Sequence, residues 1–321
     1  MIENFQVSVE PWWRDLPGLD GLIYAVGYES RSRYCASELQ GEKTALLGLR
    51  FGDNEVVAFS ANLEWATSRG EVAMAKSYAS CQSEVGAWMT RLSRERGTGL
   101  RIGLDVSSLS RKLIAASLLA ILSSIEDVVV VLLYAPAKYE KPTMDVEGPI
   151  VKFGAVAQEL AGLSEEVGRG TAAIIGLGYE PELALATYEG LEPTTHWLAV
   201  PFGVDQAFDR SVQEANAFLL EVSGDRTVSY DVLRPFETFV RMESLVDGLR
   251  RQRNVILCPL GPKIFAAVAM VVGIVHWPNV GVWRVSAEQQ GIPQDRVPSG
   301  PIVGLVVRSS VRGSMSTGSM P

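Results

Sequence analysis

The sequence predicts a doubly wound α/β protein built as a tandem duplication, and three observations carry that prediction. Short apolar runs alternate with amphipathic stretches along the chain, the pattern of parallel strands joined by helical crossovers. The chain also repeats itself: Gly27-Tyr28-Glu29 recurs as Gly178-Tyr179-Glu180, Phe51-Gly52 as Phe202-Gly203 and Lys112 as Lys263, all displaced by 151 positions. The apolar text after the first lysine, LIAASLLAIL, meets IFAAVAMVVGI after the second. Finally, 321 residues suit two domains of about 150 each.

In chain order, residues 1–20, with Trp12 and Trp13, read as an N-terminal extension packing on the first unit. The strands of that unit are expected at Leu22–Val26, Ala45–Phe51, Leu100–Val106 and Val128–Tyr134, short apolar runs suited to burial on both faces. Tyr78, Cys81, Val85, Trp88, Met89 and Leu92 fall at helical spacing, which predicts a helix over about 71–96 with that stripe against a sheet. Phe239, Val240, Val246 and Leu249 mark its counterpart. Pro142–Glu165 reads as a connector with a short helix. The second unit repeats the strands at Ala172–Leu177, Trp197–Phe202, Val255–Cys258 and Val280–Val285. Ile264–Trp277 falls short of the ~20 residues of a membrane span and is expected as a buried helix. These are two Rossmann-like units with mainly parallel sheets. The first occupies 1–150, extension and connector included, and the second 151–308. The small polar stretch 309–321 is expected to be a mobile tail.

Composition narrows the function classes. With 47% hydrophobic and 21% charged residues the chain is neither disordered throughout nor fibrous. A net charge of -8 argues against a broad grip on nucleic acid but leaves room for one local basic pocket. Three cysteines without C-x-x-C spacing and two histidines predict no metal site and no disulfide framework. The opening MIENFQVSVEPWWRDLPG lacks the basic and apolar regions of a secretory signal, so a cytoplasmic location is the default expectation.

Ligands of open parallel sheets bind outside the carboxyl ends of the strands, at turns leading into helices. Two segments occupy such places. GYESRSRY offers Glu29 and Arg31. DVSSLSRK offers Asp105, Ser107, Ser108 and Ser110 before a helix starting near Arg111 and Lys112. The second copy reads GYEPELA and LCPLGPK, losing the hydroxyl cluster and the arginines while keeping Glu180 and Lys263. All ten residues form the expected ligand-binding set, with hydroxyls, amides and cations suited to an anion. The plainer alternative makes the serines helix caps and makes Glu29 with Lys112, and Glu180 with Lys263, a structural ion pair within each half. No complete G-x-G-x-x-G, P-loop or G-x-S-x-G occurs, and no cofactor is implied.

In general architecture the chain resembles tandem Rossmann-like sensor proteins such as the CARF and SAVED nucleotide-sensing domains of bacterial immunity. That resemblance implies nucleotide sensing in defence signalling. The leading reading is a cytoplasmic binding or regulatory protein that recognises a phosphate-bearing small molecule, a nucleotide first, and passes its state to a protein partner. Neither a membrane nor nucleic acid is an expected partner. One competing reading is a transferase or nucleotide-processing hydrolase, with Glu29 or Asp105 as base and Arg111 and Lys112 stabilising an anion. Another is a structural subunit of a larger complex.

Overall fold

Two parallel sheets with the same strand order account for the internal repeat. The computed structural model describes residues 5–14, 18–52, 54–141, 150–162, 168–203, 205–287 and 293–311. In the first unit the parallel strands are β2 (Gly21–Val26), β3 (Ala45–Arg50), β4 (Glu71–Met74), β5 (Arg101–Asp105) and β6 (Val128–Tyr134). They lie side by side as β4-β3-β2-β5-β6. In the second unit β8 (Thr171–Gly176), β9 (Thr195–Phe202), β10 (Thr227–Asp231), β11 (Asn254–Pro259) and β12 (Val280–Ala287) lie as β10-β9-β8-β11-β12. Both units therefore use the order third, second, first, fourth, fifth, the chain-reversal order of a Rossmann half, with its crevice at the carboxyl edge beside the first strand. The chain is a tandem duplication of two Rossmann-like units.

The units exchange strands. After β6 the chain crosses to the second sheet, where β7 (Ile150–Ala155) pairs antiparallel with β12. After β12 it returns to the first sheet, where β13 (Val303–Val311) pairs antiparallel with β6. Strand β1 (Phe5–Pro11) then adds to β13. The extension thus joins the first sheet as a strand, with Trp12 packed on its outer core and Trp13 exposed. Three boundaries differ from the sequence reading. Residues 303–308, read as the end of the second unit, pair in the first sheet. Residues 309–311 complete β13 and the rest of the expected tail lies outside the described residues; the described part of the connector holds β7 and a short 3-10 turn at Gln158–Leu160.

Between the sheets lie α3 (Tyr78–Arg96), α4 (Arg111–Ser124), α8 (Pro235–Arg250) and α9 (Lys263–Val275), sharing one core cluster drawn from both halves. Every residue from Leu113 to Leu122 in α4 and from Ile264 to Ile274 in α9 is buried, because a helix apolar on all sides must sit centrally. The stripe on α3 is core as its spacing predicts: Cys81, Val85, Trp88, Met89 and Leu92 are buried. Its start differs. Residues 71–74 pair with β3, and the helix begins only after Ser77, whose hydroxyl accepts from the Ser80 amide in a reciprocal cap. On α8 the buried face is Phe239, Met242 and Val246, while Val240 is exposed. The outer sheet faces are covered by α1 (Tyr34–Leu39) and α2 (Phe59–Thr67), and by α5 (Pro181–Leu191), α6 (Gln206–Ala215) and α7 (Ala217–Ser223).

Candidate functional site

Each Gly-Tyr-Glu segment is the turn that leaves the first strand of its unit, and each is fastened by an asparagine. The Asn62 side-chain amide on α2 donates to the carbonyls of Gly27 and Glu29, both at 2.9 Å. The Asn216 amide, between α6 and α7, donates to the Gly178 carbonyl at 2.9 Å. Both asparagines are buried. Their signal was in the sequence, since each follows an alanine in a corresponding helical stretch, Ala61-Asn62 and Ala215-Asn216.

In the first unit the turn carries Glu29 and Arg31 to the end of β5. Arg31 Nε donates to Glu29 Oε2 at 2.7 Å, and the Ser108 hydroxyl donates to the same oxygen at 2.8 Å. Arg31 Nη1 reaches the Ala135 carbonyl at 3.1 Å, and its guanidinium lies over the Tyr134 ring. Asp105 Oδ1 accepts from the amide and hydroxyl of Ser107, and the Ser107 oxygen in turn accepts from the Ala135 amide at 2.8 Å. Asp105 Oδ2 is buried and accepts no well-formed hydrogen bond from the described residues, with the buried Cys35 thiol beside the carboxylate.

The halves meet by exchanging cations. Arg111, first residue of α4, donates through Nε to the Pro259 carbonyl at 2.5 Å and through Nη2 to the Gly261 carbonyl at 3.0 Å. Lys263, first residue of α9, donates to the Leu109 carbonyl at 2.7 Å. Gly261 precedes Lys263 by two positions and Leu109 precedes Arg111 by two, so the two contacts are mates across a pseudo-two-fold. Strand pairing agrees: Ile23 sits opposite Leu104, and its counterpart Ile174 opposite Leu257, which lies 153 positions after Leu104. The 151-residue shift thus drifts within the repeat. The structural counterpart of Lys263 is Arg111, in place of the expected Lys112.

This geometry changes the expected ion pairs. Lys263 exerts its charge on Glu29 of the other half, and Glu180 exerts its charge on Arg111. Lys112 is half-buried and makes no hydrogen bond or ion pair with the described residues; the α-helical turn points it away from the position that Arg111 fills. Ser110 is exposed and caps α4, accepting from the Leu113 amide, which is the capping role weighed for it. The structure therefore brings together Glu29, Arg31, Asp105, Ser107, Ser108, Arg111 and Lys263. Glu180 is exposed beside them.

Electrostatics follow from burial and partners. Burial favours the neutral acid at Glu29, yet Arg31, Lys263 and the bonds from Arg31 and Ser108 hold its carboxyl below the usual range. Burial pushes Asp105 up to about 6 against the bonds from Ser107. Burial lowers Arg111, with Glu180 opposing, and brings Lys263 down to about 8, with Glu29 opposing. Arg111 and Lys263 are half-buried and keep water-accessible surface. Glu29 does likewise, its side chain 14% exposed. The place where the carboxyl edges of the two sheets meet, lined by these half-buried charges, is the candidate recess.

The segment after β12 was not anticipated. Asp295 accepts from the Ser30 amide and hydroxyl, both at 2.6 Å, and the Arg296 carbonyl accepts from the Arg31 amide at 3.0 Å. Nothing in the local sequence announces this, because the partners are 265 positions apart. Among the described residues no group of three His, Cys, Asp or Glu side chains could hold a metal ion, and no helix is long and apolar enough to cross a membrane.

No family model and no curated protein matches the chain. A solved structure described as an adenylation, ketoreductase and pseudo Asub multidomain structure of a keto acid-selecting NRPS module is similar at 8% identity, with a TM-score of 0.22. The alignment covers 86% of this chain, which spans 34% of that one. At that level it carries no argument for fold or function.

Proposed function

We propose that the protein is a binding or regulatory protein whose inter-half recess takes a phosphate-bearing small molecule, with nucleotides the first class to test. One observation carries the reading. Three cations, Arg31, Arg111 and Lys263, line the recess, and among the described residues Glu29 is the one carboxylate hydrogen-bonded to any of them. Arg111 and Lys263 satisfy their donors on backbone carbonyls, and Glu180 and Glu29 act on them through space without a hydrogen bond. Keeping two half-buried cations without a hydrogen-bonded carboxylate is costly, a cost that a bound anion would offset. The start of α4 adds backbone donors of the kind that phosphate oxygens accept.

The enzymatic alternative is less well supported. Glu29 is held ionised by Arg31 and Ser108, so it is a weak base; Asp105, near 6, has the better affinity for a proton but is almost wholly buried with one oxygen already engaged. The structural-subunit alternative treats the same network as a fastener between halves.

Isothermal titration and thermal unfolding with inorganic phosphate, AMP, ADP and ATP separate the three. Saturable stabilisation without product, weakened by salt, supports the binder. Arg111→Ala should then weaken binding by ~10-fold or more, the loss of a charge-assisted bond of ~1.5 to 3 kcal/mol, with circular dichroism checking the fold. Product formation supports the enzyme, and no response to any of the four overturns the anion reading.

A further inference from the structure

The two crossover segments that exchange strands between the halves also pair with each other. Coming from β6, residues 136–138 meet residues 297–299 on the way to β13. The Lys138 amide donates to the Val297 carbonyl at 2.9 Å, the Ser299 amide donates to the Pro136 carbonyl at 2.8 Å, and Ala137 sits opposite Pro298 in an antiparallel bridge. This two-stranded clasp is anchored on both halves. At one end Asp295 holds Ser30 beside Glu29 and Arg31; at the other, Tyr139 shares a 2.9 Å hydrogen bond with Ser211 on α6. It therefore bridges the turns whose side chains line the recess.

The clasp carries its own cation. Arg296 donates to Glu140 Oε2 and to Gln294 Oε1, each at 3.1 Å, and Glu140 lies on the opposite arm. Its charge acts on both Tyr28 and Tyr179, the tyrosines of the two Gly-Tyr-Glu turns. Arg296 thus lies near both halves of the site while held by a part-exposed carboxylate, an arrangement of low stability in water.

We propose that the clasp is the gate of the recess and that Arg296 is a further ligand-binding residue: the clasp opens to admit a small phosphorylated anion, and on closing Arg296 exchanges Glu140 for the ligand. The inference rests on the anion reading above. Two observations support the motion. The two arms pair through two backbone hydrogen bonds and one from the Ser299 hydroxyl to the Pro136 carbonyl, with part-buried anchors at Ser30 and Ser211, whereas the sheets on either side are continuous ladders, so the arms separate more easily than the sheet strands. Arg111 and Lys263, between the turns that it bridges, are half-buried, so a ligand larger than water needs a passage to reach them.

The bridge supplies a lock. Ala137 and Pro298 form a non-hydrogen-bonded antiparallel pair, where Cα atoms lie ~4.5 Å apart, within disulfide range. The three native cysteines are buried, so Ala137→Cys with Pro298→Cys can be oxidised selectively. The probes are inorganic phosphate and ATP, followed by stopped-flow and equilibrium binding. Oxidation is expected to slow association and dissociation at least ~10-fold, with dithiothreitol restoring both, which also shows that the variant folds. Arg296→Ala is expected to weaken equilibrium binding ~10-fold, the scale of a charge-assisted hydrogen bond. A third arm needs no ligand: the Lys138 and Ser299 amides should exchange hydrogen faster than those of β6, and oxidation should abolish the difference.

The outcomes separate cleanly. Wild-type binding with unchanged rates in the locked form overturns the gate, and unchanged affinity in Arg296→Ala overturns the role of that residue. Clasp amides as protected as those of β6 overturn the gate whether or not a probe binds. Failure of the wild type to bind either probe overturns the anion reading and the role of Arg296 with it.

Discussion

Replacing Lys263 by methionine tests the claim that the recess keeps a charge at a cost. Burial brings Lys263 down to about 8, against 10.5 for a free lysine. A difference of about 2.5 pH units is worth ~3 kcal/mol at 1.36 kcal/mol per unit, an upper figure because the ammonium keeps some accessible surface. The sign is fixed by linkage: between about pH 8 and 10.5 the unfolded lysine binds more protons than the folded one, so raising pH through that window stabilises the native state. Below pH 8 the full penalty is present; above 10.5 it is gone. Methionine carries no charge and has a similar stem, so its protein lacks this dependence.

The assay is urea unfolding of both proteins from pH 7 to 10.5, read as the difference in stability at each pH. The difference is needed because Cys35, Cys81 and Cys258 are pushed up by burial, as are Tyr24 and Tyr230. Those groups make stability fall in the same window, and they cancel between the two proteins. Wild type should gain up to ~3 kcal/mol on the methionine variant across the window. The hydrogen bond to Leu109 sets an offset but no slope of that size. A difference that stays flat within ~0.5 kcal/mol, the scale of an ordinary surface change, would refute the buried-cation reasoning.

Four further outcomes follow from packing and strand pairing. Gly178→Ala should cost ~1 to 3 kcal/mol in urea unfolding, because its new Cβ would lie 2.7 Å from the Gly261 Cα and 2.9 Å from the Gly261 nitrogen. Gly27→Ala meets only the Ser32 hydroxyl at 3.2 Å and should change stability by less than ~0.5 kcal/mol; equal effects would contradict the asymmetry. Trp88→Ala should cost ~3 to 5 kcal/mol in the same assay, since the ring is 2% exposed in the shared core, and a cost below that of a surface change would remove it from the core. Residues 1–141 produced alone should aggregate by light scattering, because β6 would lose its partner β13 and present a bare apolar edge.

The strands legible in the sequence were those buried on both faces. β2, β5, β6 and their counterparts appear as continuous apolar runs because both faces are covered by helices. The third strand of each unit was missed because it is a half-exposed edge: EVAM in β4 and TVSYD in β10 bury only part of their side chains and lack a long apolar run. EVAM was then absorbed into the neighbouring helix. β1, β7 and β13 were missed for another reason, since their partners are set by the exchange between units, which no local pattern encodes.

The site shows the same division. The repeat singled out Glu29, Glu180 and Lys263, and strand-end position singled out Arg31, Asp105 and Ser107. It could not say that Glu29 also lies within reach of Lys263, and Glu180 of Arg111, across the halves, because sequence register drifts by one or two positions between β2 and α4. Lys112 matched Lys263 in text, but the helix starts put Arg111 in its place.

That reciprocity bears on how many ligands one chain can take. If each unit bound independently, both copies of the turn before the fourth helix would need donors for an anion. The first keeps Ser107, Ser108 and Arg111; the second has Leu260, Gly261 and Pro262 at the corresponding turn. Its contribution is one lysine, and that lysine is spent on the first unit, next to Glu29. Arg111, conversely, is tied to the carbonyls of the second unit's turn. A ligand that draws Arg111 or Lys263 away from those carbonyls must alter the contact between halves, and by reciprocity anything that alters that contact changes affinity for the ligand. On the anion reading, the tandem therefore holds one site per chain, made by both units, and its occupancy is coupled to the interface that joins them.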